Sequence, residues 1–339
     1  MDKPCISVIM STYNTPNDWL EQSIDSILNQ TYSNFEFIIV DDCSTTDIEI
    51  IQRRYKDERI IWLKNDENIG LTKSLNKALK IARGKYIARM DADDISLPER
   101  FALQIQYMES HPKVIVCGAW RRAIGAENKN EIWNIPMTRE EQQVQLFFFN
   151  CGLTHPTAMF RKSMLDEFDI IYNENYRKAQ DYGMWVQCTR YAPMAMIQKV
   201  LLEYRKSNRQ ITYDKKSINI YDAMVKTDQL LSLGIEASNK EKEMHVAFCM
   251  GLEYENSYEL RCWVDRLEEC NRSKQYFEHK IFKKILYQKW YEYCKKEYVS
   301  YKNQNYKKEY QESRTISLVL YDLSSILKQK IAKIIRYLS

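Results

Sequence analysis

The sequence has no glycine-rich phosphate loop. Only eight glycines occur in 339 residues. None falls in the G-x-G-x-x-G or G-x-x-x-x-G-K-[ST] spacing that brings backbone amides close to a phosphate, which excludes a dinucleotide fingerprint and a P-loop. The nine cysteines include no Cys-x-x-Cys pair; they read as core thiols of a reducing cytosol, not as a disulfide framework or a zinc site. No apolar run approaches the roughly eighteen residues of a membrane span. The apolar stretch from Cys5 to Met10 is too short and lacks the cleavage signal of a secretory leader.

What is present is ample for a folded core: 45% of residues are apolar. The net charge of +4 hides an asymmetry. Residues 271–339 carry 16 basic and 6 acidic side chains, and ten of the 24 tyrosines. The body before them is net acidic, so an anionic partner is expected for this end only.

Along the chain, apolar runs alternate with helical periodicity. Strands are expected at 5–10, 35–40, 59–63 and 85–88. Helices follow each, the third lined by Leu71, Leu75, Ala78 and Leu79 and stopped by Gly84. A helix over 97–110 is expected to start in a capping box of Ser96 and Glu99, with Pro98 in its first turn. A strand at 114–118 comes next. Trp120, Ile132, Trp133 and Ile135 suggest short strands that widen the sheet, and a short helix runs from Glu140 to Phe148. A strand at 158–160, a helix beginning at about 180, and strands at 194–198 and 201–205 complete this region. The pattern is an α/β fold, a mostly parallel sheet with helices on both faces. The domain boundary is placed at 212/213. Beyond it the pattern turns helical, with helices at 215–233, 239–250, 256–270, 277–298 and 314–337.

Ligands of such sheets bind beyond the carboxyl ends of the strands, and the polar loops lie there. Arg89-Met90-Asp91-Ala92-Asp93-Asp94 sets three carboxylates in one short loop. Like charges so close repel unless a cation lies between them, and hard divalent cations take carboxylate oxygens together with substrate phosphates; a solvated acidic turn is the plainer alternative. Tyr13 is either a stacking platform for a base or an aromatic covering the sheet edge. Asp42 either accepts from a base or caps the helix that follows Ser44. His155 leads a strand toward the pocket, unlike His111, His245 and His279. Asp181 suits a helix N-terminus, where a carboxylate is stabilised.

Taken together, Cys5-Ile6-Ser7-Val8-Ile9-Met10-Ser11-Thr12-Tyr13-Asn14, Val40-Asp41-Asp42-Cys43-Ser44, Asn68-Ile69-Gly70-Leu71, Ala88-Arg89-Met90-Asp91-Ala92-Asp93-Asp94, His155-Pro156-Thr157 and Gln180-Asp181-Tyr182 resemble the family 2 glycosyltransferases, over about residues 4–210 and in the family's order. The resemblance implies a GT-A fold, Rossmann-like, for residues 1–212. It implies an inverting enzyme that moves a sugar from a nucleotide-sugar donor, a UDP-sugar, to a glycan or lipid-linked glycan acceptor in capsule, O-antigen or lipooligosaccharide synthesis. By the same resemblance Tyr13 stacks on uracil, Asp42 accepts from it and Ser11 lines the pocket. Lys73 is placed near the nucleotide or its phosphates, and His155 lies at the donor site. Asp91 approaches the ribose, Asp93 ligates Mn2+ or Mg2+, and Asp181 is the general base. The chain departs from the family at Tyr204-Arg205-Lys206-Ser207, where a histidine is common at the position of Ser207; either Lys206 or Arg209 substitutes electrostatically or the loop simply differs. The processive Gln-x-x-Arg-Trp motif is missing. A nucleotide-sugar hydrolase, a nucleotidyltransferase and a non-catalytic sugar-nucleotide binding protein are the alternatives; nucleic-acid binding is not expected.

Residues 213–339 are expected to form a helical region, basic from about 271. The stripe of Ile316, Val319, Leu320, Leu323, Leu327, Ile331 and Ile334 among Lys328, Lys330, Lys333 and Arg336 suits an anionic membrane surface, packing on the core, or a homodimer contact. The expected location is cytoplasmic and peripheral on the inner face of the cell membrane.

Overall fold

The computed structural model describes residues 4–46, 48–125, 129–132, 134–135, 138–150, 152–206 and 215–313. The expected boundary at 212/213, Trp133, Ser207, Arg209 and the expected helix over 314–337 lie outside the described residues. Two compact units are formed, Met1–Leu146 with Asn150–Val225 and Phe147–Phe149 with Lys226–Ser339.

The first unit is organised by a nine-stranded sheet. Its strands are β1 (Ile6–Thr12), β2 (Phe35–Asp41), β3 (Ile60–Lys64), β4 (Tyr86–Arg89), β5 (Ile95–Ser96), β6 (Val116–Gly125), β7 (Lys129–Glu131), β8 (Met159–Arg161) and β9 (Met194–Lys206). They lie in the order β3-β2-β1-β4-β8-β6-β9-β5, with β7 on β6. The helices are α1 (Asn17–Leu28), α2 (Glu49–Arg54), α3 (Leu71–Ile81), α4 (Arg100–Ser110), α5 (Arg139–Phe148), α6 (Lys162–Glu167), α7 (Gln180–Tyr191) and α8 (Lys215–Asp228).

Side-chain alternation along the central strands explains why both faces are covered. Ile6, Val8 and Met10 of β1 join Leu20, Ile24 and Ile27 of α1 and Phe101 and Met108 of α4 in one core. Ile9 of β1, with Ile38 and Val40 of β2, joins Leu75 and Ala78 of α3 and Trp185 and Cys188 of α7 in the other. The expected helices on both faces are therefore present.

Three sequence expectations are corrected. The sheet is mixed: β1–β2, β1–β4, β2–β3 and β6–β9 are parallel, while β4–β8, β6–β8, β5–β9 and β6–β7 are antiparallel. The alternating strand-helix pattern ends at β4, and β8 returns beside it in the opposite direction. The strands expected at 194–198 and 201–205 are one strand, β9, with its register against β6 shifted around Trp120 by bulging. The capping box at Ser96 does not form. Ser96 lies in β5, paired with Leu202 of β9, and its hydroxyl accepts from Gln30 Nε2 at 3.1 Å. Glu99 instead pairs with Lys199 at 2.8 Å, and α4 begins at Arg100. Tertiary partners took both groups that the local cap would have used.

The second unit is helical. It contains α9 (Asn239–Met250), α10 (Ser257–Lys274) and α11 (His279–Lys295). Ser238 and Glu241 form a reciprocal capping box on α9, and Asn256 and Glu278 cap α10 and α11. Phe248 packs on Phe148 and Trp290, and Phe282 on Phe148. Burial, reinforced by Lys226 and Lys289, pushes His245 down to about 3, so it is a neutral core residue. Among the described residues no helix is long and apolar enough to cross a membrane, and no disulfide joins the cysteines.

At the rear of the sheet, Gly84 lies two residues before β4, packed against β1. A Cβ there would lie 2.4 Å from Ser7 N and 2.7 Å from the Ile6 carbonyl carbon, both backbone atoms that cannot swing aside. Gly84→Ala is expected to destabilise the protein by about 1–3 kcal/mol, as overpacking does, in a urea titration; an unchanged midpoint would contradict this packing.

Candidate active site

The carboxyl ends of β1, β2 and β4, together with the start of α7, border one cavity of about 800 Å3. Its wall includes Ser11, Tyr13, Asp42, Asp91, Asp93, His155 and Asp181. Seven of the eight residues singled out from the sequence therefore converge. The eighth, Lys73, is exposed in the first turn of α3 and is not part of that wall. The strand ends are aligned by backbone bonds that run one residue into each loop: Asp42 N donates to Thr12 O at 2.9 Å, Asn65 N to Asp41 O at 2.9 Å, and Met90 N to Ile9 O at 3.1 Å.

Tyr13 is half exposed at the cavity mouth. The next residue, Asn14, takes a left-handed φ of 52°, which asparagine tolerates better than most residues. Its N–H donates to Ser44 Oγ at 3.0 Å and its side chain accepts from Thr45 N at 2.8 Å, so the loops after β1 and β2 are clasped together. Asp42 is buried. Its Oδ1 accepts from Asn65 Nδ2 at 2.7 Å and Ile69 N at 2.9 Å, and its Oδ2 from Gly70 N at 2.8 Å. Asp42 thus holds the 65–70 loop against β2. It caps no helix: Asp41 Oδ1 closes the turn onto Ser44 N at 3.0 Å, and α2 starts at Glu49 without a side-chain cap.

The carboxylates of Asp91, Asp93 and Asp94 lie within 4.8 Å of one another. Burial raises Asp93 to about 6, and the Asp91 charge adds to it. Burial also raises Asp94 well above the usual range, with Asp91 and Asp93 pushing the same way. Asp94 Oδ1 accepts from Arg205 N at 2.9 Å, while its buried Oδ2 has no partner. An orphaned carboxylate oxygen beside two further carboxylates is the donor set that a hard divalent cation satisfies, so these residues are compatible with one. Arginines surround the loop. Arg89 Nη1 approaches Asp91 Oδ2 at 2.5 Å. Arg205 Nε donates to Asp93 O at 2.8 Å. Arg100, fully buried, donates through Nη2 to Arg89 O at 2.9 Å and through Nε to Gln104 Oε1 at 3.0 Å.

The far wall comes from His155 and α7. His155 Nε2 and the Tyr172 hydroxyl share a 2.8 Å hydrogen bond. Burial, with Arg89 adding, holds His155 well below its usual pKa, so the ring is neutral. Asp181 occupies the first turn of α7. Its Oδ1 accepts from Tyr182 N at 2.8 Å. Burial raises its carboxyl, and that backbone bond opposes the rise.

Sequence reasoning gave no role to Arg89, Trp19, Arg121, Lys178 or Tyr204, which also line the cavity. Arg205 stacks over Trp19 at 5.0 Å and Arg121 over Tyr204 at 4.0 Å. A signal existed for Arg89 and Lys178, since each is a cation two or three residues before a carboxylate already singled out. Trp19 sits beside Leu20 in a helix and carried no such mark.

The model of the family described as Glycosyl transferase family 2 matches residues 7–169. An uncharacterized glycosyltransferase of Methanocaldococcus jannaschii is 41% identical over 215 residues, covering 62% of this chain and 73% of that protein. A UDP-Glc:alpha-D-GlcNAc-diphosphoundecaprenol beta-1,3-glucosyltransferase of Escherichia coli is 27% identical over 217 residues, covering 63% and 82%. Among solved structures, S. aureus TarS in complex with UDP-GlcNAc superposes with a TM-score of 0.59 at 17% identity, covering 91% of each chain; that likeness concerns the fold.

Asp42→Ala removes the acceptor of three hydrogen bonds in a buried site. It is expected to cost about 2–4 kcal/mol and to speed amide exchange at Ile69 and Gly70 in hydrogen-exchange measurements. Unchanged protection at those two amides would contradict the structural role given to Asp42.

Proposed function

We propose, on the premise that this chain belongs to the family 2 glycosyltransferases, that it transfers a sugar from a UDP-sugar to a hydroxyl of a glycan or lipid-linked glycan in surface-polysaccharide synthesis, inverting the anomeric centre. The observation that carries this reading is the separation of carboxylates around one cavity: Asp91 and Asp93, two of the three clustered in the loop after β4, on one side, and Asp181 at the start of α7 on the other. One group suits a cation and an anionic leaving group. The other suits a proton.

Tyr13 is assigned to stack on uracil, its half exposure at the mouth leaving a face for the base. Asp42 is assigned to accept from the same base. A carboxylate offers about four lone-pair sites, and three are occupied within the protein, so Oδ2 retains capacity for one donor. Ser11 borders the base pocket. Asp93 is assigned to Mn2+ or Mg2+ and Asp91 to the donor ribose, with Asp94 completing the carboxylate set. Such an ion, when bound, supplies Lewis-acid neutralisation of a diphosphate. Arg89, Arg121 and Lys178 on the wall add fixed positive charge near a departing anion.

Asp181 is assigned to take the proton of the acceptor hydroxyl as that oxygen attacks the sugar. Its Oδ1 is held by Tyr182 N, which fixes the carboxylate and leaves Oδ2 for the acceptor. Burial raises its basicity, which favours proton uptake near the operating pH. Neutral His155, locked to Tyr172, contributes shape and one polar atom at the donor site without adding charge.

Calorimetry with Mn2+ present tests the donor assignment. UDP is expected to bind about tenfold or more tighter than GDP or CDP, because a base held by stacking and one buried acceptor is discriminated by its hydrogen-bonding edge. Chelator is expected to weaken the binding. Equal affinities for the three nucleotides would sink the uracil pocket, and UDP-sugar turnover faster without a glycan acceptor than with one would favour a hydrolase.

A further inference from the structure

Tyr204, near the end of β9, stands on the wall of the cavity. Its place against the acidic loop follows from strand register. Ser96 pairs with Leu202 and Ile95 with Glu203, so one step further along Tyr204 comes opposite Asp94. Two bonds from the next residue fix that step: Arg205 N donates to Asp94 Oδ1 at 2.9 Å, and Arg205 Nε to Asp93 O at 2.8 Å. The ring is held from the side by Arg121. That guanidinium lies 4.0 Å from the ring centroid, and its Nε donates to Glu131 at 2.6 Å. Backbone and ring are therefore both set in place beside the carboxylates.

The hydroxyl is the part left over. Tyr204 is only partly buried. Among the described residues its oxygen makes no hydrogen bond, and unlike Asp94 Oδ2 it is not sealed from solvent. A tyrosine is longer than an aspartate by its ring, so the hydroxyl reaches past Asp94 and leaves that orphaned oxygen unpartnered. A phenol keeps its proton up to about pH 10, and burial, with the carboxylates of Asp94, Asp91 and Asp93 adding, raises it further. The wall thus offers a neutral O–H donor directly beside a cluster of acceptors. A ligand whose own oxygens are anionic needs donors at such a place, since buried acceptors left unpaired are costly. We propose that the Tyr204 hydroxyl donates to a diphosphate oxygen of the donor nucleotide, as a binding residue for that group. This inference rests on reading the cavity as a nucleotide-sugar site. In that reading the acidic loop and its cation take the diphosphate, so a donor standing opposite Asp94 meets phosphate oxygen in preference to the base or the acceptor.

The test is calorimetry with Mn2+ present for wild type and Tyr204→Phe, with UDP titrated directly and uridine measured by its displacement of UDP. Loss of one donor to an ionised oxygen is expected to weaken UDP about tenfold or more, while uridine stays within about twofold. Equal losses for UDP and uridine would overturn the inference and move the contact to the ribose or the base. Unchanged UDP affinity would overturn it as well. Mn2+ affinity without nucleotide, read from the EPR signal of the free ion, is expected to be the same in both proteins. A variant that loses the ion would make Tyr204 a support of the acidic loop and overturn the contact. Because the hydroxyl has no partner in the chain, Tyr204→Phe strands no group and should melt within about 2 °C of wild type. A variant that fails to fold would show the hydroxyl to be used within the protein, and would also overturn the inference. A wild type that binds no UDP would overturn the nucleotide-sugar reading itself, and this inference with it.

Discussion

The crowding of three carboxylates after β4 is the constraint on which the rest of the site depends. At the 4.8 Å that bounds their separation, each fully charged pair would repel by about 3–4 kcal/mol at an effective dielectric constant near 20. The protein answers in two ways. Asp93 and Asp94 are raised, burial first and like charge second, so the fully charged state of the cluster is disfavoured. Arginines supply the remainder. Arg89 pairs with Asp91, and Arg205 binds Asp94 through its backbone N–H and Asp93 O through its side chain. Because Arg205 belongs to β9 and Arg100 to α4, the acidic loop is tied to elements far apart in sequence. The antiparallel pairing of β5 with β9 follows the same tie, bringing Ile95 and Ser96 alongside β9 directly after the carboxylates.

This dependence explains what was legible in the sequence and what was not. The first four strands and their helices could be read because each repeats the same alternation of a buried run and an amphipathic helix. The loops at their carboxyl ends then had to share one rim, which brought Tyr13, Asp42, Lys73 and the 91–94 loop together from the sequence alone; the structure keeps all but Lys73 beside the cavity. The second half of the sheet could not be read in this way. β6, β8 and β9 run beside one another without the regular crossover pattern, and the extra residues of β9 opposite Trp120, between Ile197 and Leu202, broke the periodicity that would have shown β9 as one strand. Ser96 and Glu99 had the right spacing for a cap, yet Gln30 and Lys199, distant in sequence, claimed them. Lys73 lies one residue before Ser74 and two before Leu75, both buried; the helical phase that turns those inward turns Lys73 out. Arg89 was concealed by position, since an arginine closing an apolar strand reads as a strand end, and only its burial reveals a polar floor.

The same carboxylate chemistry serves different ends according to its partners. Asp42, with three donors of its own chain, is chiefly a clasp for the 65–70 loop with one lone pair left over. Asp94, with one oxygen bonded and one orphaned, belongs to the cluster that suits a cation. Asp181, held by a single backbone donor at a helix start and raised by burial, is the carboxylate best prepared to accept a proton. Division of roles by hydrogen-bond count and burial, on a shared sheet edge, makes the proposed displacement chemically coherent: in that proposal the leaving anion is met by positive charge and the base assigned to Asp181 stands apart from it.

Replacement of Asp181 by asparagine tests this division most directly, since the change keeps shape and removes only the proton acceptor. With the preferred UDP-sugar and acceptor, kcat is expected to fall by roughly 10²–10⁴-fold, while UDP affinity stays within about twofold because the base acts in the transition state and not in nucleotide binding. An asparagine variant that transfers sugar at the wild-type rate would contradict the assignment of Asp181 as the base.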